Sequence, residues 1–418
     1  MTDKKNWDWE PGTREIIHLS RCNIEFDWQE EIQISPNGEK AAAVVNLGNC
    51  EFSVCENMQL WDEPFEKVWG LKYTPWGNTI ALVMQDGKWS VAEDGKTWNE
   101  FFDFVWDMRF SEKNNTIAVA VQKDLQYGMA IDATPWKSYF LNANQFAVSP
   151  DGKLTAAVVQ TERMEQADIQ AYKKGCYSLA VNGQTWPEKF VNLWTPVFDH
   201  QSARVAAQCR TSIYDYTIAV DGKTWDNTFS GVWRPAFNPV NQVVSAPVRM
   251  EGKWGLAQDG TLIQKPSYFQ MWNLAYDPTG KNWGAIVASE FGKWTIAVND
   301  KTWKVKFPTA VADLTFSPHG SRIAALGKIK DKWRIIVDGK VWDGDFDMAW
   351  QPVFSENELH LAAKVEKNGF FSIILDNRQI DIEYDALWPP TFSPDNKTIL
   401  VRGIKDDRVL RSVIPVGN

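Results

Sequence analysis

Residues 194–233 read WTPVFDHQSARVAAQCRTSIYDYTIAVDGKTWDNTFSGVW, and the same order of features recurs along nearly the whole chain. An opening Trp194 leads a short strand that carries an aromatic, Phe198. A run of small and β-branched residues follows, then a strand centred on Tyr216, then Asp221-Gly222, then Trp225. The equivalent openings are Trp28, Trp69, Trp106, Trp194, Trp233, Trp272, Trp350 and Trp388, with Asn144 and Val311 where the column lacks Trp. Their spacing is 41, 37, 38, 50, 39, 39, 39, 39 and 38 residues. A period of this length with no interrupting linker reads as a repeat architecture.

Three further columns support four strands per repeat. The third strand keeps an aromatic at Phe52, Trp89, Tyr127, Tyr177, Tyr216, Trp254, Trp294, Trp333 and Phe371. Five residues on stands Asn57, Asp94, Asp132, Asn182, Asp221, Asp259, Asn299, Asp338 or Asp376. Gly follows at Asp94, Asn182, Asp221 and Asp338, which is the chemistry of a two-residue type I′ hairpin. The fourth strand then begins with Trp61, Trp98, Trp136, Trp186, Trp225, Trp303 or Trp342, and Ile263 and Ile380 replace Trp in two repeats. Four antiparallel strands with two faces to cover and no helix to cover them predict a β-propeller blade. The large rings are expected between adjacent sheets.

The fold class expected is therefore all-β, a propeller of about ten four-stranded blades. One ring is favoured, and two five-bladed rings with a boundary near Gly231 to Pro235 are the alternative. The division is 1–27 as tail and ring-closing strand and 28–418 as repeats. The last repeat, from Trp388, ends before a fourth strand can form, so Glu15 to Asp27 (EIIHLSRCNIEFD) is expected to supply it and close the propeller. Closure removes sheet edges that would otherwise pair with other chains.

Composition excludes several functions. The 418 residues carry 44 Lys+Arg against 53 Asp+Glu, a formal charge of -9 with no basic block, which disfavours nucleic acid as a partner. No apolar run approaches the ~20 residues of a membrane span. The start, MTDKKNWDWEPGTRE, lacks the apolar core of a signal peptide and predicts a cytoplasmic protein. Cys22, Cys50, Cys55, Cys176 and Cys209 show no CxxC or haem-attachment spacing, and Cys50 and Cys55 read as opposite faces of one strand. His18, His200, His319 and His360 show no metal-ligand spacing. No nucleophile elbow, P-loop or dinucleotide fingerprint is present, and the aligned Asp/Asn residues read as turn chemistry. The expectation is no catalytic residue, no cofactor and no metal.

The FSPHG turn around Phe316, followed by the strand RIAAL from Arg322, resembles the PD40 blades of TolB-like propellers. Sialidase-type Asp boxes are not matched. GKTW occurs at Gly95 and Gly222, but Val91 and Glu93, or Ile218 and Val220, stand where the box needs Ser and Asp. Over its whole length the chain resembles the TmcD family, the tryptophan-rich cytoplasmic subunits of the Tmc transmembrane redox complexes of sulfate-reducing bacteria. The resemblance rests on length, the Trp-rich repeats, and the absent signal peptide and cofactor motifs. It implies a scaffold in electron transfer, peripheral on the cytoplasmic face of the inner membrane. The implied partners are an iron-sulfur subunit similar to heterodisulfide reductase, a membrane cytochrome b and a multihaem cytochrome c.

Two irregular stretches are candidate partner contacts. Gln160 to Gly175 interrupts the fourth repeat between its second and third strands, and offers Glu162, Arg163, Met164, Tyr172, Lys173 and Lys174 on a loop or short surface helix. Trp7 and Trp9 lie outside the repeat columns, and an exposed Trp is a frequent interface anchor. The rival readings are a hydrolase or lyase with an axial pocket, or a free TolB-like binding module.

The repeat register makes a direct prediction. Trp225→Ala removes a ring held between sheets and lowers unfolding free energy by about 3–5 kcal/mol in a denaturant melt. An unchanged midpoint would show that the column is misaligned.

Overall fold

In the computed structural model, residues 4–21, 25–164 and 168–417 are described. They form ten antiparallel sheets, and the chain is a β-propeller of ten four-stranded blades. In the sixth, ninth and tenth blades the first strand is broken in two, for example into Gly231–Val232 and Ala236–Phe237. Pro235, Pro352 and Pro390 stand at these breaks, where a residue without N–H cannot serve the ladder.

Two compact units are distinguished, each of five blades. The second runs without interruption from Phe102 to Ala310 and holds blades three to seven. The chain does not divide near Gly231–Pro235, because Gly231–Val232 pairs with Val244–Met250 inside the sixth blade. The first unit joins Met1–Phe101 to Val311–Asn418. Its tenth blade takes its outer strand from the other end of the chain. Gly12–His18 pairs antiparallel with Arg408–Pro415, from Gly12 opposite Val413 to His18 opposite Arg408.

That strand begins before Glu15 and ends at His18, where Leu19–Arg21 forms a 3₁₀ turn. The expected Glu15–Asp27 strand is thus shifted toward the N-terminus, and residues 22–24, with Cys22, lie outside the described residues. Two buried arginines tie the closure. Arg402 Nη1 donates to Ser35 O at 2.9 Å and Nη2 to Pro389 O at 2.8 Å. Arg411, 2% exposed, donates to Asn37 O at 2.9 Å and pairs with Glu39 at 2.9 Å.

The hairpin chemistry read from the sequence recurs in every complete blade. All nine aligned Asp/Asn residues have φ between 43° and 50°. Short side chains that bond locally tolerate this left-handed region best. The side-chain Oδ1 of each accepts the amide that begins its own second strand, as in Val205 N to Asp221 at 2.9 Å and Thr79 N to Asp94 at 2.8 Å. The turn that results presents a glycine to the preceding blade. A Cβ on Gly95 would lie 3.1 Å from the Trp61 ring, and one on Gly183 or Gly260 equally close to Trp136 or Trp225. The fourth-strand tryptophans therefore do pack between sheets. Trp136 and Trp225 are buried, and Trp61, Trp98, Trp186, Trp303 and Trp342 are half-buried.

The core holds a further aromatic column, four residues after that Trp, or four or five after the Ile that replaces it. Phe65, Phe102, Phe190, Phe229, Tyr268, Phe307, Phe346 and Tyr384 are all buried. Several bridge back to the third-strand aromatic of the same blade, as in Phe52 to Phe65 and Tyr216 to Phe229. Edge-to-face contacts such as Trp136–Phe140 at 6.2 Å place both rings in favourable quadrupole geometry.

At the same end of each blade as these Asp/Asn turns, the turns joining first and second strands bond from blade to blade. Ser111 Oγ donates to Pro150 O at 2.7 Å, Ser202 Oγ accepts from Asp151 N at 2.9 Å, and Asn238 Nδ2 donates to Gly280 O at 2.7 Å. In the first unit Glu358, buried, accepts from His319 N at 2.6 Å and from the hydroxyls of Ser317 and Ser321. These donors outweigh burial, and hold the Glu358 carboxyl down to about 2.

Two expected outcomes test these contacts. Trp136 Nε1 donates to Thr155 Oγ1 at 2.8 Å, and that hydroxyl reaches Asn182 Oδ1 at 3.1 Å. In the sixth blade Val244 replaces the Thr, and the buried Trp225 Nε1 has no acceptor among the described residues. Val244→Thr should supply it, with Asp259 receiving the hydroxyl proton, and raise stability by about 1 kcal/mol in a urea melt. A loss of stability would mean that the hydroxyl is buried unpaired. For Glu358, a folded-state pKa below the unfolded one contributes stability that is present above about 4.5 and lost as pH falls through about 2. Acid titration of the melting temperature should therefore be shallower over that window in Glu358→Gln, whose plateau at neutral pH should also be lower.

Candidate interaction surface

Where the first strand of a blade is unbroken, its pairing shifts just after the opening residue. Pairing is interrupted between Trp69 and Lys72, Trp106 and Arg109, Asn144 and Ala147, Trp194 and Val197, and Trp272 and Ala275. The first blade breaks between Glu30 and Gln33, so Glu30, opposite Val44, holds the opening position there, and Trp28 sits two residues earlier, opposite Asn46. In the eighth blade the left-handed residue is Asp313, φ 53°, which places Ala312 rather than Val311 in the column. Counting back from the strand's last residue, Ile34 or Phe316, would have found both positions.

A bulge re-aims the residue that follows the opening. In the second unit these are Asp107, Gln145, Thr195 and Asn273, and Arg234 holds the same position in the sixth blade, where the strand is broken. Thr195 is held at φ 42°, where a β-branched residue is strained, and its buried Oγ1 has no hydrogen-bond partner among the described residues. The five side chains line two clefts that share Gln145, Thr195 and Arg234. One, of about 440 Å³, continues to Asp107 and Arg109, which are paired at 2.9 Å. The other, of about 630 Å³, is walled by Trp194, Tyr216, Trp233, Trp254 and Trp272, with Arg249 at its edge.

Those walls are aromatic pairs formed within each blade between the opening Trp and the third-strand aromatic. Trp194–Tyr216 are stacked at 6.3 Å, Trp233–Trp254 at 5.5 Å, and Trp272–Trp294 lie at 4.5 Å. The first unit repeats the motif in Trp69–Trp89 and Trp350–Phe371, and there Lys364 Nζ lies 4.2 Å from the Trp350 ring and 4.7 Å from Phe371. Burial pushes the Lys364 amine below its usual range.

The aromatic pairs lie at the blade end that carries the hairpin between second and third strands, and exposed apolar side chains concentrate at that end. Of nineteen strongly exposed large apolar residues among the described ones, thirteen are there, and Val240, Leu262, Val341 and Leu359 lie toward the other end. In the second unit Leu125, Tyr214 and Phe291 stand at hairpin tips and are 80%, 81% and 86% exposed. Met250, Phe269 and Ile169 add to them there, and Met348 and Phe370 occupy the same end in the first unit. Apolar tips in turns are the sequence signal that column-by-column reading passed over.

The insertion falls between the second and third strands of the fourth blade, at this hairpin end, and includes the helix Ile169–Lys174. Asp168 caps it by accepting from Ala171 N at 2.9 Å. Glu162 pairs with Lys189, Arg163, Lys173 and Lys174 are exposed, and Met164 and Tyr172 are half-buried; residues 165–167 lie outside the described residues. Trp7 and Trp9 are placed differently from the expectation. They stack on each other at 5.8 Å, half-buried, Trp9 Nε1 donates to Lys4 O at 2.8 Å, and Asp8 O accepts from Arg411. They lie at the turn end of the tenth blade, fastened to its closure, and so are not projecting anchors.

The reactive side chains are dispersed. Cys55, Cys176 and Cys209 are buried, and burial raises the thiol pKa of Cys176 and Cys209. Cys50 is exposed in a hairpin turn with φ 65°, not on the strand, which begins at Glu51. His360 Nδ1 lies 2.7 Å from Asp376, where other blades place an Arg on the same aspartate, as in Arg322–Asp338. No group of three or more metal-binding side chains occurs among the described residues, and no helix there is long and apolar enough to cross a membrane.

Neither a protein-family model nor a curated protein matches the chain. Among solved structures it is similar to one described as a crystal structure of the eukaryotic initiation factor, at 11% identity and TM-score 0.50, over 79% of this chain and 92% of that one. It also aligns with the β-propeller domain of Myceliophteria thermophila Cps50 (Swd1), at 12% identity and TM-score 0.33, over 64% of this chain and 95% of that one. At 11% identity the first likeness is one of fold.

Proposed function

We propose that the protein is a non-catalytic, cofactor-free docking subunit. More specifically, it serves as the cytoplasmic, membrane-peripheral scaffold of an electron-transfer complex of the Tmc kind, in anaerobic sulfate respiration. The observation that supports docking is the one-sided exposure of apolar side chains at the hairpin ends of the blades. Exposed aromatic and aliphatic groups gathered at one end of successive blades are what a protein-binding surface needs, and they are costly to leave in water otherwise. The turn ends, tied blade to blade by hydrogen bonds, supply the rigidity that keeps such a surface in shape.

The choice of complex is supported by the whole-chain resemblance to the TmcD family. In that role the hairpin ends would contact the iron-sulfur subunit or the membrane cytochrome b, with the multihaem cytochrome c in the same assembly. The redox centres would belong to the partners, and this subunit would hold them in register.

The test is gentle affinity purification of the tagged chain from its native membranes, with an absorption spectrum and mass spectrometry of what accompanies it. Haem bands and a stoichiometric iron-sulfur subunit are expected. Tyr214→Asp with Phe291→Asp should release them without changing the melting temperature, because both side chains are exposed. A lone, colourless protein in the soluble fraction would overturn the assignment.

A further inference from the structure

The charge of the twin clefts in the second unit is opposite to that of the molecule. Their charged lining consists of Arg109, Arg234 and Arg249 against Asp107 alone, in a chain of formal charge -9. Asp107 is already engaged by Arg109 through two bonds, at 3.1 and 2.9 Å. Arg234 and Arg249 have no carboxylate partner among the described residues. They line a cleft whose other walls are aromatic, an environment that favours a carboxylate attached to an apolar group. Thr195 adds a strained backbone and a buried, unpartnered hydroxyl at the junction of the clefts.

We propose that these clefts bind an acidic segment of a partner chain, a peptide whose carboxylates alternate with aromatic or aliphatic side chains. The carboxylates would be received by Arg234 and Arg249, and the apolar side chains by the Trp194, Trp233 and Trp272 walls. A peptide is favoured over a small metabolite by continuity. Trp233, a wall of the cleft, is itself 41% exposed, and Tyr214 and Met250 carry the apolar surface outward from the same blades. The inference rests on the docking reading and specifies the chemistry of what docks.

The experiment is fluorescence polarisation with the full chain and a labelled peptide, Glu-Phe-Glu-Leu-Asp-Phe, beside its counterpart with Lys at each acidic position. Saturable binding of the acidic peptide alone is expected. Arg234→Gln should weaken it by about tenfold, Trp233→Ala should weaken it as well, and raised salt should do the same. Melting curves should match those of the unaltered protein, and Arg378→Gln, in the first unit, should leave binding unchanged. Equal binding of the Lys peptide would overturn the proposal, as would indifference to both Arg234→Gln and Arg249→Gln. So would binding of adenosine monophosphate or benzoate with no peptide binding, which would assign the clefts to a small metabolite. Peptide binding by a chain that comes alone from membranes would count against the redox complex and leave the cleft standing. Partners recovered without peptide binding would count against the cleft alone.

Discussion

The contact on which the rest depends is the aspartate or asparagine that ends the third strand of each of the first nine blades. Its left-handed backbone makes the tight turn, and its carboxyl or amide oxygen holds the second strand's first amide. The glycine that follows, where present, leaves room for the preceding blade's Trp at a distance a side chain would block. One residue thus fixes the hairpin within a blade and the packing between two blades. Because the same group serves both, a repeat of about 39 residues can be iterated ten times without a separate linker or helix to cover each sheet.

This dependence explains why the fold was legible in the sequence and why some of its details were not. The Asp/Asn column, the fourth-strand Trp and the third-strand aromatic answer to backbone sterics and ring volume, which admit few residue types. The opening of the first strand is under weaker constraint. Glu30 and Ala312 hold it in two blades, and the neighbouring Trp28 and Val311 drew the alignment to themselves. The buried column at Phe65, Phe190 and Phe307 went unread because nothing in spacing alone separates a core phenylalanine from an exposed one. The ring-closing strand was found from topology, but its limits were set by pairing with Arg408–Pro415, a contact between chain ends that no local pattern announces.

The candidate surface was less legible still. The insertion in the fourth blade stood out by length, and it does lie at the hairpin end. Trp7 and Trp9 stood out by composition, yet their rings stack on each other and their backbone is held by Arg411. The clefts were hidden because their lining is distributed, one residue from each of five successive blades, with about 40 residues between them. Only the bulge or, at Arg234, the break in the first strand identifies the position as special.

The two ends of the blades are built under opposite demands. At the turn end, serine, asparagine and glutamate side chains are spent on the neighbouring blade, and a substitution there breaks a bond between blades. At the hairpin end, loops reach outward from strands already paired along their length, so residues at the tips vary from Leu125 to Tyr214 to Phe291 and a 16-residue segment is accommodated in one of them. Freedom to vary at one end follows from rigidity at the other. A surface that must fit another protein is therefore expected where this fold leaves its side chains uncommitted, and the hairpin end is where the apolar side chains and the unpaired arginines are found.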